Sequence, residues 1–211
     1  MSLRVKICGI TRPDQGATIA ALGANALGFI CVQQSPRFVD AIQIQQIQQQ
    51  LPPSIARIGV FMDTDVETIA QVVKIGGLTA VQLHGGESVE DCQAIRDRLP
   101  QIELIKALRI RRTWELEMAA DYTPAVDWLL LDAYHPEMGG GTGKTLNWES
   151  LQSFKPDKPW FLAGGLRPDN IKQALKLIQP DGIDLSSGVE ITPGEKDLVA
   201  VQSLFAHING A

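Results

Sequence analysis

Eight short apolar runs recur along this chain, and stretches of helical period lie between most of them. The runs are Val5–Ile10, Leu27–Val32, Ile58–Met62, Ala80–His84, Glu103–Arg109, Trp128–Asp132, Trp160–Gly164 and Gly182–Ser186. Between them Ile44, Ile47 and Leu51 share one helical face, as do Val89, Cys92, Ile95 and Leu99, and later Ile171, Ala174, Leu175 and Ile178. A last amphipathic stretch carries Leu198, Val201, Leu204, Phe205 and Ile208. This alternation predicts an α/β fold of parallel strands joined by right-handed crossovers. Eight such units fit a single closed (β/α)8 TIM barrel with eight parallel strands, near the lower size limit of about 200 residues. An open doubly wound sheet is the alternative, and it commonly uses fewer strands in so short a chain. Residues 1–211 suffice for one good-sized core and are too few for two, so one catalytic-sized domain is expected.

Local signals agree with the alternation. Thr11 ahead of Pro13 and Asp14, Thr64-x-x-Glu67 and Ser88-x-x-Asp91 read as capping boxes, and Gly23 and Gly76-Gly77 as helix ends. A helix is expected over Thr113–Asp121. After the sixth strand, Gly139–Gly143 and Lys155–Pro159 leave little room for one.

The charge balance narrows the partners. Nineteen basic and 24 acidic residues give a net charge of −5, which argues against nucleic acid, since duplex binding rests on cationic contacts to phosphate. A small anionic ligand needs only a local cluster of donors. Cys8, Cys31 and Cys92 have no CxxC spacing, which suggests a reducing compartment. No secretory leader pattern and no membrane-length apolar run are found, so a cytoplasmic protein that engages no membrane is expected. The glutamine-rich stretch Gln43–Gln50 reads as a solvated helix face and favours a monomer.

Strand parity places polar groups inside the barrel. Side chains alternate across a strand. If Val5 and Ile7 meet the helices, Lys6 and Cys8 point inward. The same reasoning turns Gln82 and His84, Leu130 and Asp132, and Asp184 and Ser186 inward, and assigns Lys106 there too. Barrel interiors are normally branched and apolar, and buried charge without partners is costly. One explanation is an ion pair between Lys6 and Asp184, whose strands become neighbours when the barrel closes. The other is a polar active-site mouth. The two are compatible, with pairs deep and reacting groups at the rim.

Several constellations could serve such a mouth. Cys8 ends the first strand and Asp132 the sixth, and strand C-terminal ends are where barrels of this kind carry chemistry. A thiol needs a nearby cation to ionise at neutral pH, and Lys6 is on its face. Cys31 and Cys92 read as packing residues. The run Gly139 to Thr145 is not a Walker A loop, because Met138 stands where the first glycine is required. It reads as a mobile lid in which Thr142 and Lys144 could face a ligand. Gly164-Gly165 after the seventh strand and Ser187-Gly188 after the eighth occupy the two loops that commonly cradle phosphate in such barrels. Arg37, in Ser35-Pro36-Arg37, offers a fork for a carboxylate, or is a surface arginine. His84 is either a ligand contact or a satisfied core histidine. No metal-ligand spacing is present, and no metal is expected.

Taken in order, Lys-Ile-Cys-Gly-Ile-Thr at 6–11, Ser-Pro-Arg at 35–37, Gly-Val-Phe at 59–61, Gln-Leu-His-Gly at 82–85, Leu-Leu-Asp at 130–132, Gly-Gly-Thr-Gly-Lys-Thr at 140–145, Leu-Ala-Gly-Gly-Leu at 162–166 and Asp-x-Ser-Ser-Gly-Val-Glu at 184–190 make the chain resemble the phosphoribosylanthranilate isomerases. The resemblance spans nearly the whole chain. It implies a (β/α)8 barrel and a cofactor-free Amadori rearrangement in tryptophan biosynthesis. On matching positions it makes Cys8 the general base and Asp132 the general acid. It also assigns Arg37 to the anthranilate part and Gly164, Gly165, Ser187 and Gly188 to the phosphate. The two tasks imply a carboxyl with a raised pKa, partly shielded from water, and a thiol with a lowered one. The family often carries an aromatic residue just before Ser-Pro-Arg, where this chain reads Cys31-Val32-Gln33-Gln34. Two other readings stay open: an aldose–ketose isomerase of histidine synthesis, whose relatives usually use paired aspartates, and a phosphosugar-binding protein without catalysis.

Overall fold

A computed structural model of the chain describes residues 3–110, 112–133 and 148–210. Eight strands close into one parallel barrel in chain order: β1 Arg4–Cys8, β2 Ala26–Ile30, β3 Ala56–Phe61, β4 Ala80–Leu83, β5 Glu103–Ile110, β6 Trp128–Ala133, β7 Trp160–Ala163 and β8 Gly182–Leu185. The open-sheet alternative is thereby excluded. Closure is made by β1, which pairs with β2 on one side and β8 on the other, with Lys6 in register with Asp184.

Helices α1 Pro13–Ala21, α2 Ala41–Gln48, α3 Val66–Gly76, α4 Val89–Arg98, α5 Ala119–Tyr122, α6 Ile171–Leu177 and α7 Leu198–Asn209 wrap the barrel. The apolar stripes read from the sequence are the faces they bury: Ile44 and Ile47 on α2, Cys92 and Ile95 on α4, Val201, Leu204 and Phe205 on α7. Their caps explain their starts. Ser88 and Asp91 form the expected box on α4. Thr64 is one residue early: Asp65 caps α3, accepting from the Thr68 N–H at 2.9 Å, and Gly77 ends the helix at φ +63°. Thr11 does not cap α1. Arg12 occupies that position, and the Thr11 hydroxyl instead donates to the Gly194 carbonyl at 2.6 Å, a long-range tie invisible in local sequence. After β5 the expected helix is mostly a 3₁₀ turn, Thr113–Met118, with α5 following.

Side-chain alternation divides the core into two layers. An inner cluster of Ala26, Ile58, Ala80, Ile105, Ala107, Leu130, Phe161 and Ala163 fills the barrel, and a larger outer one packs strands on helices. The layering corrects one expectation. Ile105 and Ala107 belong to the inner layer and Leu104 and Leu108 to the outer, so Lys106 points outward, not into the barrel. There its ammonium donates to Glu87 at 2.7 Å and to the Gly85 carbonyl at 2.9 Å, with the Tyr122 ring 5.6 Å away. Apolar neighbours on both sides of Lys106 fit either facing, because both layers are apolar.

Beyond β8 the chain adds a 3₁₀ turn, Ser187–Val189, and a small antiparallel hairpin, β9 Glu190–Thr192 and β10 Glu195–Lys196, outside the barrel sheet. Among the described residues no helix is long and apolar enough to cross a membrane.

Candidate active site

The C-terminal rim encloses a cavity of about 290 Å³ lined by Cys8, Arg37, Gln82, His84, Asp132, Gly164, Gly165, Asp184, Ser187 and Gly188, among others. All the site residues selected from the sequence therefore meet in one place, although they come from β1, β2, β4, β6, β7 and β8 or the loops after them. Thr142 and Lys144 of the expected lid lie outside the described residues. A larger hollow of about 370 Å³ lies beside Lys106, Trp114 and Tyr122. It holds neither Cys8 nor Asp132.

Cys8 ends β1 with only 5% of its surface exposed. Its register partner is Gly28 on β2, where an added Cβ would stand 2.5 Å from the Cys8 sulfur. Only glycine leaves the thiol room. Beneath it, the buried Lys6 ammonium donates to both carboxylate oxygens of Asp184 at 3.0 Å, the pair anticipated from barrel closure. Burial pushes the Cys8 thiol pKa above its ordinary value; Lys6 pulls it down, and Asp184 adds to the upward push. This overturns the expected lowering. The cation argument was sound, but the lysine is already neutralised by its own carboxylate. The Lys6 pKa is held up, against desolvation, by Asp184 and Cys8.

Asp132 ends β6 with its side chain 35% exposed, partly shielded as expected. His84 Nε2 lies 3.5 Å from its Oδ2, and His84 Nδ1 is 2.9 Å from Gln82 Nε2. The Nε2 edge of the imidazole faces Asp132 and its Nδ1 edge faces the Gln82 amide. Gln82 thus orients His84 from a buried position inside the barrel.

Between Cys8 and Asp132 around the rim lie the ends of β7 and β8. Gly164 and Gly165 turn there at φ +87° and +66°, conformations that favour glycine, and a Cβ on Gly188 would stand 1.9 Å from the Leu166 carbonyl oxygen. The result is a side-chain-free concavity of backbone with exposed Ser187 at its edge, suited to a phosphate.

Arg37 does line the cavity, but its fork is not empty. Nε donates to Glu190 Oε1 at 2.9 Å, and Nη2 donates to Glu190 Oε2 at 2.5 Å. The Lys196 ammonium donates to the same carboxylate at 2.7 Å. Lys196 and Gly28 were not singled out from the sequence, and Glu190 entered there only as the last residue of the 184–190 motif, with no role. Glu190 stands two residues past a selected glycine, but nothing local says that it turns back to meet Arg37.

Fold and rim together define a barrel enzyme of the phosphosugar kind, with a thiol and a carboxyl flanking a backbone anion cradle. The family model for N-(5'-phosphoribosyl)anthranilate isomerase matches residues 5–207, and the chain belongs to that family. It is 58% identical over 203 residues to the N-(5'-phosphoribosyl)anthranilate isomerase of Nostoc punctiforme, covering 96% of this chain and 97% of that one. The crystal structure of phosphoribosyl anthranilate isomerase from Thermotoga maritima superposes with a TM-score of 0.89 at 36% identity over 100% of both chains. A phosphoribosyl anthranilate isomerase solved in complex with reduced 1-(o-carboxyphenylamino)-1-deoxyribulose 5-phosphate superposes with a TM-score of 0.86 at 33% identity, again over 100% of both.

Proposed function

We propose that this chain catalyses the Amadori rearrangement of N-(5-phosphoribosyl)anthranilate to 1-(2-carboxyphenylamino)-1-deoxyribulose 5-phosphate in tryptophan biosynthesis, with Asp132 as general acid and Cys8 as general base. One observation carries the reading: the thiol and the carboxyl line one cavity, and the glycine cradle of β7 and β8 lies between them on the rim. A substrate held there by its phosphate has one group on either side.

The chemistry follows from that placement. Asp132 gives its proton to the furanose ring oxygen as the C1–O bond breaks, and the nitrogen lone pair forms the iminium. The iminium acidifies C2–H. Cys8, as thiolate, takes that proton, and the C–H electrons flow to nitrogen to give an enolamine, which tautomerises to the ketone. Electrons only move within the substrate, so the reaction balances without a cofactor or metal. A thiol with a raised pKa is ionised in a small fraction of molecules, yet each thiolate is the stronger base for it. His84, whose Nε2 faces Asp132 at 3.5 Å, would steady the carboxylate left after proton transfer. Arg37 faces the anthranilate carboxylate, and Asp184 keeps Lys6 charged beneath the thiol. The exposed glutamines of α2 support a monomer, and the reading extends to a cytoplasmic enzyme with no nucleic-acid partner.

The test is the fluorescence decay of phosphoribosylanthranilate generated in situ, with wild type, Cys8→Ser and Asp132→Asn. Proton-transfer groups of this kind typically contribute about 10²–10⁴-fold, and each variant should lose at least that much kcat/KM. The wild-type pH–rate profile should show two limbs, one of which Asp132→Asn removes. Folded wild type that leaves the fluorescence unchanged would redirect attention to the histidine-pathway phosphosugar, and then to binding without turnover.

A further inference from the structure

The small hairpin after β8 is not needed to close the barrel, yet it buries two charged side chains against the rim. Glu190 has 4% of its side chain exposed and Lys196 none. The carboxylate is shared: Arg37 holds one side through Nε and Nη2, Lys196 donates at 2.7 Å, and the Gly194 N–H donates at 3.2 Å. Lys196 is fixed in turn through its backbone, whose N–H donates to Gln15 Oε1 and whose carbonyl accepts from Gln15 Nε2, both at 3.1 Å. Thr11 ties the hairpin tip to the segment following Cys8.

Two consequences follow. A guanidinium presents its donors in a rigid plane, so clamping the Nε–Nη2 edge fixes the direction of the remaining Nη1 edge. The charges also do not cancel: Arg37 and Lys196 against Glu190 leave one positive charge in excess beside the cavity. A sheltered excess charge is costly until an anion meets it. Burial drives the Lys196 pKa below its ordinary value, consistent with that cost. The groups facing this cluster are Cys8, Ser186 and the turn at Gly9, where a Cβ would stand 2.7 Å from Arg37 Cδ and 3.4 Å from Lys196 Nζ. The backbone turn that sets Cys8 therefore rests on both cations.

We propose that Glu190 and Lys196 are positioning residues, which hold the Arg37 fork and an uncompensated positive charge in place to receive the carboxylate of the substrate's aromatic ring. Glu190 acts through Arg37 and touches no substrate atom. The inference rests on the isomerase reading for the identity of that substrate.

The test compares wild type with Glu190→Gln, Lys196→Met, Arg37→Ala and the double variant Arg37→Ala/Glu190→Gln. Steady-state kinetics on phosphoribosylanthranilate are paired with competitive inhibition by inorganic phosphate. Glu190→Gln should raise KM about 10-fold or more with kcat changed by less than about threefold, the signature of lost uniform binding. Phosphate inhibition should stay within about twofold of wild type, and the double variant should be no worse than Arg37→Ala alone, because paired groups acting as one are not additive. Phosphate inhibition weakening in step with KM, or full additivity, would overturn the proposal in favour of a merely structural hairpin. Should Glu190→Gln not fold, Glu190→Asp carries the same comparison. Calorimetric binding of the reduced product analogue separates the two readings: wild type that neither binds nor turns over defeats the isomerase assignment. Wild type that does both, with Glu190→Gln unchanged, defeats the positioning role alone.

Discussion

Gly28→Ala is the sharpest perturbation of the thiol that leaves the thiol itself in place. An alanine Cβ at this position would stand 2.5 Å from Cys8 Sγ, 3.0 Å from Cys8 Cα and 3.0 Å from Lys6 Nζ. Ordinary heavy-atom separations settle at about 3.5–4.0 Å, so the sulfur must retreat by about 1 Å. A change of the Cys8 rotamer does not relieve everything, because its backbone is crowded as well. Overpacking of this kind costs about 1–3 kcal/mol. At about 2–4 °C per kcal/mol for a chain of this size, Tm should fall by about 2–12 °C. A reacting group misplaced by about 1 Å loses about 100-fold, and kcat should fall on that scale. Gly59→Ala is the control. Its Cβ would stand 2.5 Å from Leu78 Cδ1 and 2.8 Å from Phe61 Cε2, an equal clash in the outer layer away from the rim. It should lower Tm comparably and leave kcat within about threefold. Circular-dichroism melts and the fluorescence assay read both effects. A Gly28→Ala enzyme with kcat within threefold of wild type would refute the reasoning, and with it the placement of Cys8 at the reacting carbon.

Two further outcomes follow from the buried groups. Lys6→Met strands the Asp184 carboxylate, 9% exposed, and should cost about 3–5 kcal/mol in urea denaturation. Since the Lys6 pKa is raised on folding, its contribution is complete below the unfolded value of about 10.4 and fades as pH rises through the higher folded one; Lys6→Met should lack that alkaline decline. Iodoacetamide should label all three cysteines slowly near pH 7, because burial holds the Cys8 thiol above its ordinary value and drives Cys31 up to about 12 and Cys92 up to about 11. Rapid labelling of Cys8 at neutral pH would show that its cations outweigh burial.

Periodicity carried the barrel into view because a strand in a parallel sheet is apolar over a whole run, while each helix shows one stripe. It also predicted the Lys6–Asp184 pair, since closing the barrel in chain order makes β8 the neighbour of β1. Legibility stopped where an interaction left its own segment. Thr11 looked like a cap, but its partner Gly194 is 183 residues away. Arg37 looked like a free fork, but its partner Glu190 is 153 residues away, in a hairpin that has no strand-like run. The Cys8 pKa was misjudged for the same reason. Sequence showed a lysine on its face but not the carboxylate that claims the lysine, nor the depth of burial that decides the sign. Parity failed only at Lys106, where both sides of β5 are apolar and alternation carries no contrast.

The three lysines buried among the described residues together show how a rim of loops is held to a rigid barrel. Lys6, Lys106 and Lys196 each pair with a carboxylate that is at most 9% exposed. Such pairs seldom add stability over well-packed apolar residues, so stability is a weak explanation for three of them. Their positions offer a better one. Lys6–Asp184 joins the two strands whose pairing closes the barrel, directly under the thiol. Lys106–Glu87 holds the loop after β4 from outside: Glu87 also accepts from the N–H groups of Asp63 and Gly85, the residue that follows His84. Lys196–Glu190 holds the hairpin against Arg37. Apolar packing is non-directional and would let those loops slide, whereas an ammonium on a fixed carboxylate specifies one placement. Each pair therefore stands behind one cavity-lining side chain of the rim: Cys8, His84 and Arg37. Replacing any one of them should disturb its own client side chain before the barrel itself.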